Sequence, residues 1–254
     1  MNALKRKIKI LELLKEHESV EVAHLTKLLG VSKVTVRADL DNLALKGLLI
    51  RTHGGAMLPE NLELVRVLAN TLEEQKKEKY AICNAAAGYI KPGMNVIIDS
   101  GSTTVHLAKI IRAMDITVIT NSVLVLQELM GSTSVELLIA GGILRKPSLS
   151  LMGDHASYMF DQIHGDQLFL GASGFSIEKG ITSTNIIEAE TKKHMIRNAS
   201  QVFLLADSSK LERMFIANVC GWDAIDYFIT DALSLAHSAR LAEKGVKVII
   251  APTV

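Results

Sequence analysis

Cysteine is scarce in this chain of 254 residues: only Cys83 and Cys220 occur, isolated and far apart. That pattern excludes a disulfide framework and a paired thiolate metal motif, and both are expected to be buried, reduced thiols. No apolar run approaches the ~18 residues that a membrane-spanning helix needs, so no membrane partner is expected. The opening MNALKRKIKILELLKEHE is charged throughout, unlike a signal peptide, which predicts a cytoplasmic protein. Metal-ligand spacing is missing among the histidines. His106, His155, His164 and His194 read as packing or surface residues, and neither a metal nor a cofactor is expected. Net charge is nearly absent as well, at +1.

What is present begins with apolar content. At 48% hydrophobic residues the chain can fill a sizeable core, enough for one large or two ordinary domains. The small net charge hides an uneven division. Residues 1–57 hold ten bases against six acids, which leaves +4, and the remainder then totals −3. A basic head on a mildly acidic body predicts that the head alone meets a phosphate backbone.

The head carries helical periodicity. Leu4, Ile8, Leu11 and Leu14 recur at the spacing of an amphipathic helix of roughly four turns. After a break at His17 to Ser19, Val22, Leu25, Leu28 and Leu29 predict a short second helix, closed by Gly30. Ser32 is a suitable N-cap for a third, with Val36, Leu40 and Leu43 inward. Leu48 to Ile50 read as a strand and Arg51 to Gly55 as a hairpin tip. Three helices with a tight turn before the third, followed by a hairpin, define a winged helix-turn-helix. Its expected contacts to double-stranded operator DNA are Lys33, Thr35 and Arg37 in the major groove, Ser32 at the helix N-terminus, and Arg51, His53 and Gly54 on the wing.

From Pro59 to Lys79 the composition turns polar, and TLEEQKKEK leads into an apolar helix ended by Lys91-Pro92-Gly93. The expected organisation is a DNA-binding domain over 1–58, a hinge over 59–79 and a body over 80–254. Through the body, short apolar runs (VIID, ITVIT, VELLIAG, QLFLGAS, QVFLLAD, DYFIT, VKVII) alternate with helical patterns, which predicts a mainly parallel sheet covered by helices. Ligands of such sheets sit beyond the carboxyl ends of the strands. The segments there are rich in hydroxyls: Asp99-Ser100-Gly101-Ser102-Thr103-Thr104, Thr120-Asn121-Ser122, Gly171-Ala172-Ser173-Gly174 and Asp207-Ser208-Ser209-Lys210, with Gly141-Gly142 the exception. SGSTT running into a helix suits a phosphate, because glycine admits backbone N–H groups, hydroxyls donate and the helix N-terminus favours an anion.

The segment VSKVTVRADLDNLALKGLLIRTHGGA closely resembles the N-terminal signature of the DeoR family of bacterial sugar-metabolism regulators, combining Val31-Ser32, Thr35, Arg37, Asp39-Leu40, Leu43, Gly47, Arg51 and His53-Gly54-Gly55-Ala56 in one order. Where that family often carries a second arginine, this chain has Ala38. The resemblance continues from Lys79 to about Asp231 through IIDSGSTT, TNS, AGG, LGASG, the Glu188 helix and DSSK. It implies an α/β sensor domain similar in fold to sugar-phosphate isomerases, holding a phosphorylated sugar or polyol. On that reading Ser102, Thr103 and Thr104 hold the phosphate, and Asn121, Glu188, Asp207 and Lys210 face hydroxyl or carbonyl groups. Arg145 and Lys146 would add positive charge, and Asp99, Gly101, Ser122, Gly141, Gly142, Gly171 and Ser173 complete the strand-end set. Repression relieved by the effector follows from the same resemblance. Paired half-sites predict a dimer or tetramer.

Two other functions fit parts of this pattern. Glu188 as a base and Lys210 as a carbonyl-polarising cation would serve a sugar-phosphate isomerase, but the fused DNA-binding head makes binding the simpler expectation, with no catalytic residues. A body that only assembles the protein would leave the strand-end hydroxyls without a use.

Overall fold

The computed structural model describes residues 3–17, 19–45, 49–57 and 71–252. The chain divides into two units, Met1–Asn70 and Thr71–Val254. In the first, helices α1 (Ala3–His17), α2 (Val22–Leu29) and α3 (Lys33–Leu45) accompany strands β1 (Ser19–Glu21), β2 (Ile50–Arg51) and β3 (Gly55–Met57). The strands form an antiparallel sheet in the order β1-β3-β2. Gly30 makes the helix-to-helix turn possible: at φ 65° and ψ 34° it is left-handed, and its N–H closes on the Thr26 carbonyl at 3.1 Å.

Three details differ from the sequence expectation. On α1 the buried side chains are Ile10, Leu13 and Leu14, while Ile8 is exposed and Leu11 only half-buried. The reason lies one turn earlier, where Arg6 forms a buried ion pair with Asp39 of α3 and sets the rotation of the helix. Leu28 is likewise exposed, leaving Val22, Leu25 and Leu29 as the inner face of α2. Beyond the break expected at His17 to Ser19, Ser19 to Glu21 form a strand that pairs with the wing strand, Val20 opposite Ala56. Leu48 and Gly47, and positions 59–70 of the expected hinge, lie outside the described residues. The rest of that hinge overlaps the second unit, whose α4 (Lys76–Ala87) begins at Lys76.

The second unit is built on seven parallel strands: β4 (Asn95–Ile98), β5 (Ile116–Thr120), β6 (Val135–Ile139), β9 (Gly165–Gly171), β12 (Ala199–Leu205), β14 (Tyr227–Thr230) and β15 (Lys247–Ile250), in the order β15-β14-β12-β9-β4-β5-β6. Neighbouring residues alternate between two cores. Ile97, Leu168 and Leu204 belong to one cluster, whereas Val96, Ile98, Phe169, Phe203 and Leu205 belong to the other. Strands that bury both faces must read as continuous apolar runs, which is why the alternation of a half-exposed strand is missing from them. Helices α5 (Thr104–Ile111), α6 (Val123–Leu129), α7 (Asp154–Asp161), α8 (Ile186–Arg197) and α9 (Leu235–Glu243) complete the layers. The sequence reading did not anticipate the hairpin of β7 (Ile143–Arg145) and β8 (Ser150–Met152), nor the small antiparallel sheet of β10 (Gly174–Ser176), β11 (Gly180–Ser183) and β13 (Ala217–Cys220).

From β4 the chain proceeds outward through β5 and β6, then returns to the other side of β4 for β9, β12, β14 and β15. The order therefore switches direction between β4 and β9, and a crevice opens beyond the carboxyl ends of strands at such a point. Cys83 is buried and Cys220 half-buried, both unpaired. Among the described residues no helix is long and apolar enough to cross a membrane.

A side chain at Gly55 would place its Cβ 1.9 Å from the Val20 carbonyl oxygen. Gly55→Ala should therefore force β3 from β1 at a cost of about 1–3 kcal/mol. Amide exchange of residues 19–21 and 55–57 in the full chain should accelerate accordingly, and unchanged protection would show that the sheet tolerates the displacement.

Candidate functional site

The surface of the first unit that carries the expected DNA contacts is built on the start of α3. Ser32 caps it, its hydroxyl oxygen accepting the Thr35 N–H at 3.2 Å and lying 2.9 Å from the Thr35 hydroxyl. Lys33, Val34, Arg37, Ala38 and Asp41 are exposed on this helix, with Thr35 half-buried. His53 and Gly54 are exposed at the hairpin tip, and the Gly54 carbonyl accepts the Val22 N–H at 2.9 Å. Arg51 is placed differently from its expected reach toward DNA. Its Nε donates to Asp41 Oδ1 at 2.7 Å and its guanidinium also donates to the Gly55 carbonyl, so it fastens the wing to α3. The same contact balances the one carboxylate exposed beside Arg37, which would otherwise repel phosphate.

In the second unit, Asp99, Asn121 and Gly171 end or directly follow three strands, and Asp207 lies two residues beyond a fourth, the four being adjacent in the sheet. Asp99 is fully buried at the switch point. Its Oδ2 accepts the Gly171 N–H at 2.9 Å and an ammonium hydrogen of Lys192, which also donates to the Gly171 carbonyl at 3.2 Å. Lys192 is buried on α8, one turn after Glu188, whose carboxylate lies 3.9 Å from the ammonium. Arg145, on the β7–β8 hairpin, approaches the other side of Glu188 at 3.8 Å. Asp99, Gly171, Glu188 and Arg145 are thus brought into one chain of contacts. Its centre, Lys192, is absent from the expected set, although the Glu-x-x-x-Lys spacing on a helix was visible in the sequence. Glu188 pairs with Lys192 and Arg145, not with Lys210, its partner on the alternative isomerase reading.

Several expected phosphate or hydroxyl ligands are committed to the fold. The Thr104 hydroxyl donates to the carbonyls of Asp99 at 2.7 Å and Gly101 at 3.0 Å, which shapes the loop rather than leaving a donor for a ligand. Ser122 caps α6 through the Val125 N–H. Gly141 and Gly142 are exposed, and Gly142, at φ 142°, lets β7 pass Met152, whose carbonyl a Cβ would approach to 2.6 Å. Gly101, Ser102, Ser173 and Lys210 are half-buried, Thr103 is buried, and Lys146 is exposed.

The most informative atoms are acceptors and hydroxyls without partners. Asp99 Oδ1, Ser100 Oγ, Asn121 Oδ1 and Asp207 Oδ2 are buried and make no intramolecular hydrogen bond. Each such group costs about 1–3 kcal/mol unless something satisfies it. Their own side chains are otherwise anchored: Asn121 Nδ2 donates to the Leu151 carbonyl at 3.0 Å, and Asp207 Oδ1 accepts the Ser209 N–H at 3.2 Å. Each side chain is thus fixed at a strand end with one oxygen left unpartnered. Burial pushes the Asp99 carboxyl above the usual carboxylate range, against the downward pull of Lys192 and the Gly171 N–H. Among the described residues no cluster of side chains suits a metal ion.

A winged helix-turn-helix in one unit and an α/β unit with polar strand ends in the other define the class of DNA-binding transcriptional regulators. The sequence model of the DeoR-like helix-turn-helix domain matches residues 6–61, and that of the DeoR C terminal sensor domain matches residues 74–232. The chain belongs to the DeoR family of transcriptional regulators. It is 34% identical to the HTH-type transcriptional repressor GlcR of Bacillus subtilis (strain 168), with 96% of this chain and 95% of that protein covered. It is also 34% identical to the HTH-type transcriptional regulator GlpR of Haloferax volcanii, with 96% of each covered. These relatives are named as regulators, not enzymes. Ribose 5-phosphate isomerase A from Methanocaldococcus jannaschii superposes with a TM-score of 0.41 at 17% identity, over 54% of this chain and 55% of that one.

Removing Lys192 leaves a buried carboxylate without its counter-ion, which costs about 3–5 kcal/mol. Lys192→Met should lower the denaturation midpoint followed by emission of Trp222, which is buried in this unit. Asp99 then has a folded pKa raised further, so its favourable contribution exists at low pH and disappears as pH rises through that value. The deficit should be smallest near the unfolded carboxylate value of about 3.9 and grow toward neutrality. A deficit independent of pH would contradict the pairing.

Proposed function

We propose that this regulator represses a sugar or polyol catabolic operon in the cytoplasm and is released from its operator by a phosphorylated sugar or polyol. The observation that carries this reading is the row of buried, unpartnered oxygens on Asp99, Asn121 and Asp207, beside the cations Arg145, Lys192 and Lys210. Acceptors in such a row call for a ligand with several hydroxyl donors. Cations and the N-terminus of α5 call for an anion on the same molecule. In this arrangement the phosphate takes the N–H groups of Gly101 to Thr103 and the Ser102 hydroxyl, with Lys210 and Arg145 supplying charge. The polyol hydroxyls donate to Asp99, Asn121 and Asp207.

On the DNA side, Lys33, Thr35 and Arg37 enter the major groove while His53 and Gly54 meet the flanking backbone. Arg51 acts through Asp41, by holding the wing. With Ala38 in place of a second basic side chain, one head makes few contacts, so a dimer or tetramer engages paired half-sites. The effector releases the operator because it binds the DNA-free arrangement more tightly; equal affinity for both would shift nothing.

A panel of sugar and polyol phosphates tested with their unphosphorylated parents on the full chain checks the proposal. At least one phosphate ester should raise the thermal midpoint as RT ln(1 + [L]/Kd) requires and release operator DNA selected from random duplexes, while its parent does neither. A panel with no shift and no release would overturn it. Asp207→Ala should bind that operator normally yet ignore the active ester. Arg37→Ala should weaken operator binding by about 1–3 kcal/mol, and retained affinity would remove Arg37 from base readout.

A further inference from the structure

The chain enters the second unit at Thr71 and reaches α4 through Gln75, which is left-handed at φ 51° and ψ 36°. A non-glycine residue in that conformation is strained, and strain of this kind gathers at segments with two arrangements. Several contacts hold the entering segment, among them a Glu73–Lys76 ion pair. Lys79 of α4, only 1% exposed, donates from Nζ to the Thr71 carbonyl at 2.6 Å. Its own N–H closes on the Gln75 carbonyl at 2.9 Å. Leu72 packs on the core cluster that includes Ile82, Val105 and Leu107.

The same helix also touches the effector crevice. Cys83, one turn after Lys79, donates from Sγ to the Thr103 carbonyl at 3.1 Å, inside the loop that leads from Asp99 into α5. Burial lowers the Lys79 pKa, and the charges that act on its ammonium most are the Asp207 carboxylate, which attracts it, and Lys210, which repels it. Lys79 therefore lies on the helix that links the entering segment to the 99–104 loop, within electrostatic reach of Asp207 and Lys210. Burying an ammonium against a single backbone carbonyl is a weakly compensated arrangement, and a new negative charge nearby will compete for it.

We infer that Lys79 is the latch through which occupancy of the crevice is felt where the chain enters this unit. An anion held by the 99–104 loop and Lys210 draws the Lys79 ammonium from the Thr71 carbonyl, and the strained segment 71–75 opens. This rests on the effector reading given above and assigns it a transmitting residue.

Hydrogen exchange on the full chain separates the two. The probes are inorganic phosphate, ribose 5-phosphate and fructose 6-phosphate at matched ionic strength. Amides of residues 100–106 should exchange more slowly with a bound probe and those of 71–75 severalfold faster. Slower exchange at 100–106 with unchanged or slower exchange at 71–75 would overturn the latch and leave the effector site standing. No response at 100–106 to any probe would overturn both. In Lys79→Met, segment 71–75 should exchange fast without a probe and lose its response, while 100–106 keeps its protection. The measurement on the unmodified chain stands even if that variant folds poorly.

Discussion

The Asp99 carboxylate, buried at the switch point of the sheet, is the constraint on which the rest of the second unit turns. One oxygen joins three elements, since it accepts from the Gly171 backbone at the end of β9 and from Lys192 on α8 while belonging to the end of β4. The ion pair fixes α8 across the strand ends, which in turn sets Glu188 one turn back and brings it to Arg145. The other oxygen is buried and has no partner among the described residues. A buried ion pair contributes little net stability compared with apolar packing, so its value here is positional. It holds charge and acceptors where a ligand can use them.

The first unit uses charge for position in the same way. Arg6 with Asp39 sets the rotation of α1 on α3, and Arg51 with Asp41 ties the wing to α3. Basic residues that look alike in a sequence thus divide into those that build the reading head and those, Lys33 and Arg37, that stay exposed on it. Removing these two neutral pairs leaves the excess of positive charge in the head unchanged at +4, now carried by eight bases against four acids.

Much of this arrangement was legible in the sequence. Apolar runs marked all seven parallel strands, most plainly the five inner ones, whose burial on both faces cannot hide their composition, and the loops after them held the polar residues of the strand ends. Ser32 and Gly30 announced the turn before α3 through capping chemistry. What escaped notice depended on distant partners. Arg51 and Thr104 have the side chains of ligand contacts but find intramolecular acceptors first, and only packing decides that. Lys192 was overlooked because a lysine on a helix usually faces water, and nothing local says that Asp99, far away in sequence, awaits it. Ile8 and Leu28 fit the helical period yet face outward, since short helices leave the choice of face to their neighbours.

The central claim is that the strand-end crevice receives a phosphorylated polyol, and a crystal structure of the protein with the ester that most raises its thermal midpoint tests it most directly. The account predicts the phosphate against the backbone of Gly101 to Thr103 and ligand hydroxyls on Asp99 Oδ1 and Asp207 Oδ2, with the Asp99–Lys192 pair intact. Density for the ester elsewhere on the molecule, with these oxygens still unpartnered, would contradict it.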